Sequence, residues 1–191
     1  NTWASHIINM AKLIILEGLS RTGKTTIANN LRDNSYGRIV SLKEKMPECK
    51  DMTSFYKGCF YSYDAFFEAF PDETFILDRS FLSEMVYPDF FERPKSIDTN
   101  YIFDFINNHE IHLFMLTNEH SDYVDRGPKD RYKYTEDDYK ILTYLFDQSL
   151  SKVERYINSS VINTSENSII ETITLIKNNL WKQTKTIQQQ L

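Results

Sequence analysis

Eight consecutive residues, Gly18-Leu19-Ser20-Arg21-Thr22-Gly23-Lys24-Thr25, hold two glycines, an ammonium and a hydroxyl at the spacing with which a loop wraps a polyphosphate. Lys24 is expected to reach the β- and γ-phosphates as a point charge, and the Thr25 hydroxyl to ligate the Mg²⁺ that bridges them. A Cβ at Gly18 or Gly23 would push the backbone away from the anion. The cradle is expected to comprise Gly18, Ser20, Thr22, Gly23, Lys24, Thr25 and Thr26. Lys12 to Glu17 before it reads as a buried parallel strand and Thr25 to Leu31 after it as a helix, the context the chemistry requires. At average composition a chance match has odds of roughly one in a hundred or less. The ligand is therefore a nucleoside triphosphate, and the motif leaves the reaction open.

The second candidate site is Asp78-Arg79-Ser80, after the apolar run Thr74 to Leu77. A switch GTPase needs an Asp-x-x-Gly strand end and an Asn-Lys-x-Asp loop, and neither string occurs. A motor-type ATPase places Glu after the strand-end Asp to polarise water. Arg79 stands there instead, and a guanidinium holds an anion. That points to a kinase whose acceptor, hydroxyl or phosphate, lies beside the nucleotide.

Between Thr117 and Tyr134 the chain carries Glu119, His120, Asp122, Asp125, Arg126, Lys129, Asp130, Arg131 and Lys133 around Gly127-Pro128. A charged run is usually a solvated loop. Its place after the fourth strand favours a lid, about 117–134, with Arg126 and Arg131 as its cations. The segment Asp51 to Phe70 is crowded with aromatics, read mainly as core and in part as a dimer face, with Phe60 and Tyr63 as candidates to stack on an acceptor base. The four histidines form no metal-like cluster, and His112, inside an apolar run, reads as a satisfied core residue.

These residues need elements to carry them. The pattern predicts strands at 12–17, 38–42, 74–78, 111–116 and 160–163. Helices are predicted at 23–33, within 51–70, and at 79–87, 97–108, 135–158 and 166–180. Short apolar strands alternating with helices give a three-layer α/β fold, a five-stranded parallel sheet with helices on both faces. Ligands bind such sheets outside the carboxyl ends of the strands, where Gly18, Asp78 and Thr117 fall.

With 191 residues, 41% of them hydrophobic, one kinase-sized domain at 10–181 is expected. Residues 1–9 read as an extension or cloning remnant and 182–191 as a frayed tail. The net charge of −5 disfavours, without excluding, a nucleic-acid partner. Cys49 and Cys59 have neither metal nor redox spacing, no run has membrane-spanning length, and residues 1–9 lack a secretory pattern. A cytoplasmic location is the resulting expectation.

The string Leu16 to Thr26 resembles the start of a thymidylate kinase that carries an Arg in its phosphate loop. Leu77-Asp78-Arg79-Ser80-Phe81-Leu82-Ser83 resembles that family's Asp-Arg-aromatic-x-x-Ser motif and the Glu-Arg-Ser motif of deoxynucleoside kinases. Val124 to Arg131 matches the lid pattern, and Ser160 to Ser165 the last strand and adenine-facing loop, hence Thr164 in the nucleotide site. The similarity covers Met10 to about Leu180 and implies the P-loop NTPase fold of nucleotide kinases.

It further implies that Arg21, Arg126 and Arg131 contact the transferring phosphoryl. Asp78 would hold water or Mg²⁺, and Arg79 the acceptor phosphate. Ser20 stands where the family has an acid facing the sugar 3′-hydroxyl, and Ser80 where it often has an aromatic. The expected activity is ATP- and Mg²⁺-dependent conversion of a deoxynucleoside monophosphate to the diphosphate, and the expected assembly is a homodimer. Two enzymatic alternatives stay open, a deoxynucleoside kinase using Glu44 or Glu48 as base, and a kinase acting on a modified base or end of a polynucleotide. A nucleotide-binding regulator is the non-enzymatic alternative.

Overall fold

The computed structural model describes residues 11–41, 52–125 and 133–188. Five strands form one parallel sheet in the order β2-β3-β1-β4-β5. They are β1 (Lys12–Gly18), β2 (Arg38–Ser41), β3 (Thr74–Asp78), β4 (Glu110–Thr117) and β5 (Asn158–Asn163). The helices are α1 (Lys24–Asp33), α2 (Met52–Ala69), α3 (Phe81–Phe90), α4 (Thr99–Asn108), α5 (His120–Asp125), α6 (Glu136–Val153) and α7 (Ile169–Gln188).

β1 lies at the centre of the sheet, and its side chains alternate between two cores. Leu13 and Ile15 join Phe67, Phe81, Phe105 and Phe146 on one face. Ile14 and Leu16 join Ile27, Leu31, Ile173 and Ile176 on the other. An unbroken apolar run is what a strand covered on both sides requires. Burying each of these large side chains contributes about 1.5–3 kcal/mol, and the sum holds the strand ends in fixed register. That register sets Leu16 opposite Asp78 and Gly18 opposite Leu116.

α4 and α6 start on caps supplied by their own sequence. Asp98 accepts the N–H of Tyr101 at 2.8 Å for α4, and Thr135 with Asp138 forms a capping box for α6. α1 starts on Gly23 at φ 86° with no side-chain cap. Its first-turn N–H groups are therefore directed at the space beyond β1, where an anion is favoured.

The elements depart from expectation in three places. The helix expected over 135–158 ends at Val153, a 3₁₀ turn covers Glu154–Tyr156, and Asn158 to Ser160 pair with β4. The span 117–134, read as a lid with no regular element assigned, contains α5, a helix too short to stand without tertiary contacts. α7 runs on to Gln188, through residues read as a frayed tail, in a stretch free of Gly and Pro. Phe60 is 3% exposed and belongs to the core, which rules out stacking on an acceptor base. His112 is a paired core residue, its Nε2 3.1 Å from Glu110. Among the described residues no helix is long and apolar enough to cross a membrane.

Candidate active site

β1 ends on Gly18 with φ 113°, a conformation only glycine adopts freely, and a Cβ there would lie 2.1 Å from the Leu116 carbonyl oxygen. The close approach is used: the Leu19 N–H donates to that same oxygen at 3.2 Å. The loop from Leu19 to Gly23 thus springs from the join of β1 and β4. Gly23 is equally constrained, because a Cβ on it would stand 2.7 Å from the Ile169 side chain at the start of α7.

Lys24 is 3% exposed. Its ammonium donates to the Gly18 carbonyl at 3.2 Å, to the Leu19 carbonyl, and to the Thr22 hydroxyl at 2.9 Å. The Thr22 hydroxyl passes its own proton to Leu19 O at 3.1 Å. The cation therefore sits in the concavity of the loop. Thr25 and Thr26 are exposed on the first turn of α1.

The Thr25 hydroxyl donates to Asp78 Oδ2 at 2.6 Å. Asp78 is 3% exposed at the end of β3, so two hard oxygen donors from distant parts of the chain adjoin the loop. One carboxylate and one hydroxyl, completed by phosphate oxygens and water, is a donor set that suits Mg²⁺.

Arg79 follows Asp78 with φ 77°, one of four non-glycine residues at positive φ among those described; Arg21 at φ 61° is another. Such conformations persist only where the surroundings impose them. For Arg79 the surroundings are visible. Its N–H donates to Leu16 O at 3.0 Å, and Nη1 donates to Gly18 O at 3.0 Å and to the Ser83 hydroxyl at 3.1 Å. Its guanidinium also lies 5.1 Å from the Tyr87 ring centre.

Glu17, in the middle sheet strand, is fully buried and was not singled out as a site residue from the sequence. Its Oε1 accepts the N–H of Ser80 at 2.6 Å and of Ser83 at 3.1 Å, and its Oε2 accepts the Ser83 hydroxyl proton at 2.6 Å. The carboxylate caps α3 from β1, in place of a cap from the helix's own sequence. Burial raises its pKa above the ordinary carboxylate value, against the lowering pull of Arg79 and of the Ser83 and Ser80 bonds. The Ser83 hydroxyl gives its proton to Glu17 and accepts from Arg79. One serine thereby links the buried carboxylate to the part-buried guanidinium. The only sequence signal for this was a charged residue closing an apolar strand.

Arg21 donates from Nη1 to the Tyr123 carbonyl, and its guanidinium stacks 4.0 Å from the Tyr123 ring centre. The loop arginine thus meets α5. Ser20 is half-buried, and its carbonyl accepts the Tyr139 hydroxyl proton at 2.8 Å. Thr164 is 4% exposed, and both its N–H and its hydroxyl serve Thr117 O, at 2.8 and 3.0 Å. That hydroxyl joins the ends of β4 and β5. The Glu119 N–H donates to the Ser165 hydroxyl at 2.8 Å. Arg126, Arg131, Glu44 and Glu48 lie outside the described residues.

No protein-family model matches the sequence, and no curated protein matches it. Solved structures do. The chain is similar to the YorR protein from Bacillus subtilis in complex with phosphorylated GDP, with 19% identity over 91% of this chain and 98% of that one, TM-score 0.67. It is similar to deoxyadenosine kinase from M. mycoides with bound dCTP, with 18% identity over 89% and 99% of the two chains, TM-score 0.58. A third is thymidylate kinase from Candida albicans, with 16% identity over 94% and 93%, TM-score 0.57. The fold is that of P-loop nucleoside and nucleotide kinases.

Proposed function

We propose that this chain is an ATP- and Mg²⁺-dependent phosphotransferase that converts a deoxynucleoside monophosphate to its diphosphate, in the manner of a thymidylate kinase. The observation that carries the reading is the convergence of Lys24, the Thr25–Asp78 pair and Arg79 on the carboxyl ends of β1 and β3. A nucleotide-binding module has no need of Arg79 anchored beside the loop. A kinase does, since a second anion must be held where the γ-phosphoryl arrives.

In this reading Lys24 neutralises charge on the β- and γ-phosphates, with the N–H groups of the loop and of the first turn of α1. Thr25 and Asp78 would hold Mg²⁺, whose charge would offset the negative charge of the phosphates. Arg79 binds the acceptor phosphate, and Arg21 with the lid residues Arg126 and Arg131 contacts the transferring group. Attack by one phosphate oxygen on another needs no strong base, so positioning and charge neutralisation are the work required. A homodimer through α2 fits the exposure of Tyr61, Phe66 and Phe70 at 46, 43 and 47%.

A second reading, a deoxynucleoside kinase, draws on Ser80 in the Asp78-Arg79-Ser80 string and on the likeness to deoxyadenosine kinase. It needs a carboxylate that can take a proton from a 5′-hydroxyl. Glu17 is unsuited, being fully buried and accepting three hydrogen bonds.

Coupled measurement of ADP release from ATP across nucleosides, nucleoside monophosphates and short oligonucleotides tests the proposal. Turnover with a deoxynucleoside monophosphate, lost by at least about 10²-fold in Lys24→Ala, is the expected result. Turnover with nucleosides alone transfers the assignment to the second reading, and none with any acceptor removes both.

A further inference from the structure

Both segments that flank residues 126–132 press on the phosphate loop through one cluster. Tyr123 on α5 and Tyr139 on α6 are each 4% exposed, with ring centres 5.1 Å apart. Tyr134 stands 5.6 Å from Tyr123, and its N–H donates to the Tyr123 hydroxyl at 3.2 Å. His120 Nε2 lies 3.0 Å from the Tyr134 carbonyl, and its ring is 5.4 Å from that of Tyr139.

From this packed group two contacts reach the loop at adjacent residues. The Tyr139 hydroxyl lies 2.8 Å from Ser20 O and 3.0 Å from Asn118 Oδ1. A phenol has one proton, and the nearer oxygen is the Ser20 carbonyl. Burial holds this phenol above its ordinary range, so it stays a donor throughout neutral pH. The second contact is the Arg21 guanidinium on the Tyr123 carbonyl and ring.

Resting on the kinase reading, we propose that Tyr139 is a positioning residue that, with Tyr123, sets the shape of the phosphate loop by holding the Ser20–Arg21 stretch at two adjacent points. A trans peptide is planar, with its C=O and N–H pointing in opposite directions. Fixing the Ser20 carbonyl on Tyr139 therefore fixes the direction of the Arg21 N–H. Arg21 holds φ 61°, a conformation that a side-chain-bearing residue keeps only when neighbours on both sides impose it. Tyr139 supplies the constraint on the peptide and Tyr123 the constraint on the side chain. A tyrosine that merely filled the core would lose nothing at the loop on conversion to phenylalanine.

The test is Tyr139→Phe, which keeps the ring and removes the donor. Binding of Mg²⁺-loaded non-hydrolysable ATP analogue and of inorganic triphosphate is measured by calorimetry, beside steady-state rates with the best monophosphate acceptor. Triphosphate binding should weaken roughly two- to tenfold, the effect of one lost hydrogen bond, with a smaller change in the acceptor KM. Asn118→Ala removes the competing acceptor and leaves the phenol proton to the Ser20 carbonyl, so it should bind triphosphate as tightly as wild type or more tightly, and it serves if Tyr139→Phe folds poorly. Unchanged triphosphate binding in Tyr139→Phe, weakened binding in Asn118→Ala, or equal loss for triphosphate and acceptor in Tyr139→Phe overturns the proposal. A wild type that binds triphosphate and transfers nothing removes the kinase reading, while the binding comparison still decides the role of Tyr139.

Discussion

The Thr25 hydroxyl and the Asp78 carboxylate, 53 residues apart in sequence, meet at 2.6 Å where α1 begins and β3 ends. The register of β1 against β3 brings them together, since Leu16 pairs with Asp78. Neither residue is held by its own element alone, so the pair reports on the alignment of two strands.

Asp78→Asn keeps the size and one acceptor oxygen, but it removes the charge that offsets Mg²⁺. The expected outcome is a fall in kcat of about 10²-fold and a rise in the Mg²⁺ concentration giving half-maximal rate. ATP analogue binding, measured by calorimetry at saturating Mg²⁺, should change far less. Equal losses in binding and rate would make Asp78 a structural residue.

How much of this arrangement was legible depended on sequence distance. The phosphate loop is contiguous, so its glycines, lysine and threonine announce themselves at fixed spacing. The strands were legible because both faces of β1 are buried and the run is apolar throughout. Glu17 was not, because its partners Ser80 and Ser83 stand 63 and 66 residues away. Tyr139 was still less so, 119 residues from Ser20 and looking from sequence like any core aromatic of a helix. α5 escaped because its charged residues mask the one side chain, Tyr123, that buries it. The lid span was read from composition and position, which say nothing of such a contact.

Arg79→Ala tests the anion site beside the loop. Arg79 is anchored through Nη1 on Gly18 O and the Ser83 hydroxyl, which places its guanidinium beside the phosphate loop. For a phosphorylated acceptor, KM should rise and kcat/KM should fall by about 10²-fold, the loss expected when one partner of a charge-assisted pair is removed. ATP binding should be nearly unaffected. A normal KM for every phosphorylated acceptor would move the weight to the nucleoside reading.

Glu17→Gln makes a prediction about pH with a definite sign. The native pKa is raised by burial, so in the window from the ordinary carboxylate value up to the raised one the folded state binds more protons than the unfolded state. Stability contributed by this group is therefore present at low pH and lost as pH rises through the native value. Gln keeps an oxygen for the Ser80 and Ser83 N–H groups and does not titrate. The melting midpoint of the wild type minus that of Glu17→Gln should fall as pH rises from below 4.5, the ordinary value, toward neutrality. A difference that grows with pH would mean that Arg79 and the serine bonds outweigh burial.

Ser20→Asp addresses the acceptor, because Ser20 stands where thymidylate kinases carry an acid and its carbonyl is held by Tyr139. The backbone is thus fixed from outside, and the substitution changes side-chain chemistry without freeing the loop. A carboxylate can accept a hydrogen bond from a free sugar 3′-hydroxyl, whereas a 3′-phosphate beside it is repelled; a serine tolerates both. For a simple deoxynucleoside monophosphate as the natural acceptor, Ser20→Asp should leave kcat/KM within about threefold of wild type or raise it. For a 3′-substituted acceptor it should lower kcat/KM by about tenfold or more, the size of a like-charge penalty at close range. Rates for matched acceptors with and without a 3′-phosphate read the difference directly. Loss of activity on every free deoxynucleotide would break the likeness to thymidylate kinases at the position that faces the sugar.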